Sequence, residues 1–367
     1  MQFVKTGDLK IGMRLARPIF NKQGVLLYEQ DSKLNAQTVE SVRNFGLLGI
    51  FILEPAEPVP PMSDEDIAFE RFQAMTVLTI QEELEHIMQT RKSYKLHNIA
   101  GIIIKNYGHL EKKTNFYQNL RSKTDYVYKH AMNVAILCTM ISHVMNIRIE
   151  EQTHTVYAAL LHDIGRVNVY KDMKEGADIT QEQQDALWRS QLAAGEIIES
   201  CMSEGISVNR ICNQAAKAQM NAEQGHFSNT KLVNGAKILL VANKYDEMTA
   251  MRVDSSNKDS EVRAIKELLE YPEIYDPAVV NALIKSINIL YPGVSVELNT
   301  GEKAVVLAEN EENILRPLLL SFQNNKIIDM TLKRNRNLKI KDIMKTLDNR
   351  YVIDKEALEK AGFQITT

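Results

Sequence analysis

Cysteine is scarce in this chain. Only three occur in 367 residues, Cys138, Cys201 and Cys212, an odd number without paired spacing, each in an apolar helical stretch. This excludes a disulfide framework and predicts small buried thiols in a reducing compartment. Long hydrophobic runs are missing too. No stretch is long enough to span a bilayer, and the N-terminal MQFVKTGDLK has no apolar signal core, so the expected location is cytoplasmic with no membrane span. Nor does charge of one sign dominate: 44 basic against 47 acidic residues leave a formal net charge of −3, which argues against broad nucleic-acid binding. The most basic cluster, Lys333, Arg334 and Arg336, is flanked by asparagines and reads as a solvated turn. Internal repeats and low-complexity segments are absent.

What is present is an ordinary globular balance, 44% hydrophobic and 25% charged, in a chain too long for one compact core. Two or three domains are expected. Residues 1–53 alternate short apolar runs with turn signals. Asn21 to Gly24 ahead of Val25-Leu26-Leu27 predicts a β-hairpin, and a helix from Asn35 to Phe45, stopped at Gly46, precedes a strand over Gly49–Leu53. This is a small α+β module. EPAEPVPPMS (54–63) is proline-rich, a stiff extended linker over 54–62. Ser63 with Asp66 three residues on then opens a long helix, with Ile67, Met75, Leu78 and Ile87 as its apolar positions.

From about 114 to 290 the pattern is helical throughout, with no convincing strand. In 127–145 Val127, His130/Ala131, Val134, Leu137/Cys138, Ile141 and Val144/Met145 form one buried stripe containing His130, whereas His143 falls on the opposite, solvent side. Past Tyr291-Pro292-Gly293 the period becomes two. VSVEL, AVVLA, LRPLLLSF and KIIDMTL, with turns at Asn299-Thr300-Gly301 and Asn324-Asn325, read as four strands of a compact antiparallel sheet or small barrel. The tail, 340–367, reads as one or two polar helices.

Chemistry concentrates in the helical region. His130 sits in one amphipathic stripe, and AALLHDIGRVNV (158–169) places His162 and Asp163 at the end of another, with Gly165 ending the helix. A third helix, 232–250, puts Leu232, Ala236, Leu239, Asn243, Asp246 and Ala250 on one face. Asn243 and Asp246 therefore point inward, where buried polar groups need partners. Imidazole and carboxylate suit zinc, iron or manganese, and a helical bundle can aim them inward from several helices. A shared metal is one way to satisfy these side chains; a hydrogen-bonded polar network is the other.

The ordered set resembles the HD superfamily of metal-dependent phosphohydrolases, and within it the HD-GYP branch. TDYVYKHAMNVA (124–135) is similar to that family's first-histidine helix, LLHDIGR (160–166) to its HDIGK signature, and LLVANKYDEMT (239–249) to its VADVYDALT helix. Residues 8–34 look like an N-terminal module often found on these proteins, and 291–320 like a β-extension that often follows the core. The resemblance implies a mainly α fold: an HD-type helical bundle (63–290), a small α+β N-terminal module, and a small β-rich C-terminal extension with a helical tail (291–367). It also implies hydrolysis of cyclic di-GMP.

Departures from the pattern qualify that implication. Arg166 replaces the family's lysine, keeping a charge able to pair with phosphate. Ser190 or Gln191 stands where a metal-binding histidine is expected. NQAAKAQMNAEQGHF (213–227) has neither the paired histidines nor Gly-Tyr-Pro, and the spacing of His226 does not recommend it as a ligand. Asn243 replaces the aspartate that closes the metal site, while Asp246 matches a second family aspartate that could move in. The expected metal ligands are therefore His130, His162, Asp163 and Asn243, and the expected catalytic pair is Asp163 with Arg166. One divalent ion (iron, manganese or zinc) or none is the cofactor expectation. A catalytically impaired binding or scaffold protein of cyclic di-GMP signalling is favoured, with cyclic di-GMP, a related nucleotide or a protein as partner. The alternative is a phosphodiesterase with a reduced metal site.

Overall fold

The computed structural model describes residues 2–344 apart from 22, 46, 48, 54–61, 174–178, 224, 226–230 and 253–258. The proline-rich linker, Gly46, His226 and the tail beyond Met344 therefore lie outside the described residues. The chain begins with β1 (Gln2–Lys5), β2 (Arg14–Leu15), β3 (Ile19–Phe20), β4 (Leu26–Tyr28), α1 (Ala36–Asn44) and β5 (Gly49–Leu53). One sheet runs β1-β5-β2, and β3 pairs with β4 as the expected hairpin. Asn21 Oδ1 accepts from the Gln23 and Val25 amides, and Gly24 supplies the positive φ that the turn requires. Asn35 caps α1 through the Thr38 amide. Leu9, Leu15, Ile19, Leu34, Val39, Val42, Ile50 and Ile52 form a core of the module's own.

The helical body comprises α2 (Asp64–Thr90), α3 (Leu96–Tyr107), α4 (Tyr126–Val144), α5 (Ile149–Leu161), α6 (Arg166–Lys171), α7 (Gln181–Ala193), α8 (Gly195–Ser200), α9 (Gly205–Glu223), α10 (Asn234–Thr249), α11 (Glu261–Glu270) and α12 (Pro277–Ser286). The expected Ser63–Asp66 capping box opens α2. Its buried stripe differs from the expected one. Phe69, Gln73, Ile80, Leu84 and Ile87 face inward, while Ile67 and Met75 are exposed and Leu78 is half-buried, because the polar Gln73 and Glu83 find partners inside. Central α4 is buried on nearly every side, with α5, α10, α12, α2 and α3 packed around it. His143 is half-buried on it rather than solvent-facing.

Two further expectations are corrected. The region 114–290 is not wholly helical: β6 (Leu120–Arg121) pairs in parallel with β7 (Met251–Arg252), tying the entry of α4 to the exit of α10. The tail is not helical from 340. Past α12 come β8 (Ser295–Leu298), β9 (Lys303–Ala308), β10 (Leu318–Ser321) and β11 (Ile327–Asp329), the four expected strands, and a fifth, β12 (Ile340–Ile343). The antiparallel order is β11-β10-β9-β8-β12. β12 was concealed by its polar sequence, since an edge strand facing solvent carries little apolar alternation. The basic cluster Lys333–Asn335 forms an exposed 3-10 turn, and all three cysteines are free and buried, as expected.

The sheet shares its core with the helices: Val296, Leu298, Val306, Leu319 and Ile340 join the cluster that contains α4 and α10. Leu319→Ala should therefore cost about 2–5 kcal/mol and lower the thermal midpoint of the helical circular-dichroism signal. Val42→Ala, in the module's separate core, should leave that midpoint in place. Equal shifts from both variants would contradict this division.

Candidate metal centre

Three chain segments build the site. Before α4, Ser122 and Asp125 bond reciprocally, the Ser122 amide to Asp125 Oδ1 and the Asp125 amide to Ser122 Oγ, which sets the helix start one turn ahead of His130. At the end of α5 the chain turns through His162–Gly165 directly into α6. Gly165 is required there by close approach rather than by φ: a Cβ on it would lie 2.0 Å from the Ser190 carbonyl oxygen of α7. α10 supplies Asn243 and Asp246 one turn apart. The inward direction expected for both holds, at 5% and 0% exposure.

His130, His162 and Asp163 converge, with one ligand atom from each lying within 4.8 Å of the others. His130 Nε2 stands 3.1 Å from His162 Nε2, and Asn243 Oδ1 lies 2.8 and 3.2 Å from those two nitrogens. Asp163 Oδ2 is 3.8 Å from His130 Nε2, and Oδ1 is 3.7 Å from His162 Nε2. Ligand atoms sharing one ion at about 2.1 Å lie about 3.0–3.4 Å apart, so two of the inner three separations match such a set, the His130–Asn243 one is slightly shorter, and Asp163 stands slightly back.

The hydrogen bonds behind these atoms decide what faces the centre. His130 Nδ1–H donates to Asp246 Oδ2 at 2.6 Å, and His162 Nδ1–H donates to the Ala159 carbonyl at 2.8 Å, so both Nε2 atoms present lone pairs. Asn243 Nδ2 donates to Gln219 Oε1, and Gln219 Nε2 in turn donates to the Glu247 carboxylate, which orients both amides and turns Asn243 Oδ1 inward. Two imidazole lone pairs, an amide oxygen and a carboxylate thus meet with no donor between them. Acceptors so crowded repel unless a cation or an added proton joins them, and burial disfavours the proton on His162. The donor set fits a divalent cation of the zinc, iron or manganese kind.

Beside this centre lie two buried ion pairs. Asp246 is gripped by both terminal nitrogens of Arg121 at 2.6 and 2.7 Å and also accepts from Gln118 and Asn133. It therefore backs His130 instead of moving in as a ligand. Burial opposes its ionisation, but the Arg121 charge and the His130 hydrogen bond outweigh that and hold its carboxyl well below the usual range. Asp163 is treated alike. Burial raises its pKa, Arg166 and the two histidines lower it further, and the net shift is downward. Arg166 Nη1 lies 3.3 Å from Asp163 Oδ2, Arg166 Nη2 donates to Gln191 Oε1, and Gln191 Nε2 donates to Asp163 Oδ1 at 2.9 Å. The guanidinium also rests 4.9 Å above the Trp188 ring. Gln191, rather than Ser190, faces the Asp163 carboxylate, since the Ser190 hydroxyl turns back to the Leu187 carbonyl.

Residues 127–248 match the family model described as HD domain. This stretch is an HD domain. Over 205 residues the chain is 22% identical to the cyclic di-GMP phosphodiesterase PA4108 of Pseudomonas aeruginosa, covering 55% of this chain and 49% of that protein. The chain thus matches about half the length of that relative. No solved structure matches. Among the described residues no helix is long and apolar enough to cross a membrane.

Sequence reasoning passed over Arg121, Gln118, Asn133 and Gln219. Arg121 is 1% exposed, yet it sits in a polar run, RSKTD, that looks like a surface turn. Only the unexplained inward Asp246 signalled that a cation had to be near.

Two outcomes are expected. Removing one partner of a buried ion pair strands the other, so Arg121→Met should destabilise the HD core by about 3–5 kcal/mol, read from urea midpoints. His162, Asp163 and Asp246 all bind fewer protons folded than unfolded. Stability of the metal-free chain should therefore begin to fall as pH drops through about 6.5, the free histidine value, and fall faster below about 4. Urea midpoints that stay flat between about pH 8 and about pH 3 would contradict that sign.

Proposed function

We propose that this chain is an HD-GYP-type protein of cyclic di-GMP signalling that holds one divalent ion and binds its nucleotide without efficient hydrolysis. The observation that carries this reading is the double commitment of Asp163. One side faces the His130–His162–Asn243 lone pairs, and the other is capped by Arg166 and Gln191. A divalent ion held by His130, His162, Asp163 and Asn243 would supply Lewis-acid charge and acidify a water molecule. Phosphodiester cleavage also calls for charge on the leaving oxygen, which a second ion provides in two-metal sites. Here a guanidinium takes the adjacent position, and it can neutralise charge but cannot acidify water.

Charge balance supports binding. Asp163 is offset by Arg166 and Asp246 by Arg121, so the buried ensemble is neutral before any ion arrives. A divalent ion then leaves excess positive charge, which a phosphodiester anion would offset. Arg166 also retains an unpaired, buried Nε–H donor. Metal and nucleotide should therefore bind cooperatively. The relative's name supplies cyclic di-GMP as the nucleotide to test first. The competing reading, a slow phosphodiesterase, draws on the same four donors and assigns Arg166 to the phosphate.

Elemental analysis of the purified chain should find about one divalent ion per chain, and His130→Ala or His162→Ala should abolish its retention. Chelation should weaken cyclic di-GMP binding at least about tenfold by calorimetry, the coupling expected of a shared electrostatic site. Turnover at rates ordinary for enzymes, about 1 per second or faster, would sink the impaired-binder reading in favour of the hydrolase. A metal-free chain indifferent to added Mn2+ would sink both.

A further inference from the structure

The N-terminal module touches the HD core at a point that leads straight to His130. Arg17, between β2 and β3, has its guanidinium 4.5 Å from the Phe51 ring of its own module and 5.0 Å from the Tyr117 ring of the helical body. Its Nη1 pairs with Glu70 of α2 at 2.9 Å and donates to the Gln118 carbonyl at 3.3 Å.

Residues 115–119 are irregular, with no helix or strand ladder of their own. Backbone carbonyls in such a segment must find partners elsewhere. Gln73 supplies the one for Tyr117, and Arg17 the one for Gln118. The side chain of Gln118 is then bonded on every side. Its Nε2 donates to Asp246 Oδ1 and Thr249 Oγ1, and its Oε1 accepts from Arg121 and Asn133. Asp246 in turn holds His130 Nδ1 at 2.6 Å. One residue therefore has its main chain held by the module and its side chain holding the carboxylate that orients a metal ligand. A cavity of about 240 Å3 adjoins this contact, lined by Arg17, Phe20, Phe51, Glu70, Asn119 and Lys129, so a released segment has space to shift.

We infer that Arg17 of the N-terminal module is a positioning residue for the metal site, acting through Gln118 and Asp246 on His130. This rests on the single-ion reading above and adds to it a regulatory element: docking of the module sets the ion affinity of the HD core. Any event that draws Arg17 away from Tyr117 and Glu70 loosens Gln118, and with it the orientation of His130.

Co2+ titration of the full-length chain, followed by visible absorption, tests this. Arg17→Ala should weaken Co2+ binding about tenfold, the lower end for loss of a partner behind a metal ligand, and should alter the ligand-field spectrum. A purely structural role would lower the thermal midpoint and leave that spectrum alone. Arg17→Lys keeps a charge for Glu70 but has no planar face to lie between two rings, so it should fall between the two. Should Arg17→Ala fail to fold, Glu70→Gln, which leaves Arg17 stacked, should move affinity in the same direction by a smaller factor. Wild-type affinity and spectrum in both Arg17→Ala and Glu70→Gln would overturn the inference alone. A wild-type chain that takes up no Co2+ would overturn the single-ion reading and this inference together.

Discussion

The Asp246 carboxylate organises the centre of this protein. It is wholly buried, and a bare carboxylate there would be too costly to keep ionised. Its charge is sustained by the two-nitrogen grip of Arg121 and by Gln118, Asn133 and His130. These contacts join α10, α4 and the segment leading into β6. Everything functional follows from that knot, because the oxygen that accepts from His130 fixes which face of the imidazole is bare. Take the carboxylate away and His130 loses its tautomer, Arg121 its partner, and the β6–β7 junction the ion pair inside it.

The second ion pair works against the first in a useful way. Arg121 satisfies Asp246 from behind and leaves His130 open to the centre, whereas Arg166 satisfies Asp163 from the side and occupies space beside it. Both are buried arginine–aspartate pairs, and neither is by itself evidence of stability. Their difference lies in what they leave exposed to an incoming ligand. Arg121 has none of its side chain exposed and Arg166 only 6%. Trp188 beneath the guanidinium and Gln191 bonded to it hold Arg166 in place, so a nucleotide phosphate would compete with three existing contacts for that charge.

Much of this was legible in the sequence, for a physical reason. Helical periodicity maps directly onto burial, so the inward positions of His130, Asn243 and Asp246 could be read from spacing, and the period-two stretches after Tyr291 from alternation. Illegible were the features set by long-range pairing. Arg121 and Gln118 lie in an irregular polar segment whose burial is imposed by α10, some 125 residues away for the Arg121–Asp246 pair. The two-residue strands β6 and β7 are too short to show a period, and β12 carries a solvent-edge composition. On α2, inward Gln73 and Glu83 defeated the apolar pattern because hydrogen bonds, not hydrophobicity, earned them their places. Polar residues that are buried because they are bonded are invisible to any rule that equates burial with apolarity.

On the single-ion reading, that same principle bears on what a metal site with fewer charged ligands can become. Substituting a neutral amide for a charged or imidazole ligand does not leave a hole. Gln191 is bonded at both ends of its amide, to Arg166 and Asp163, and Asn243 donates to Gln219 while its oxygen faces the two histidines. On the reading proposed above, a pocket rebuilt in this way would keep its shape and its capacity for anions while shedding the excess negative charge that would draw in several cations. Ligand recognition tolerates that exchange, since hydrogen bonds and one positive centre suffice to seat a phosphate. Hydrolysis does not, because acidifying water demands concentrated cationic charge at one point. On the reading proposed here, binding outlives turnover in this fold because the two functions draw on different amounts of charge from the same few side chains.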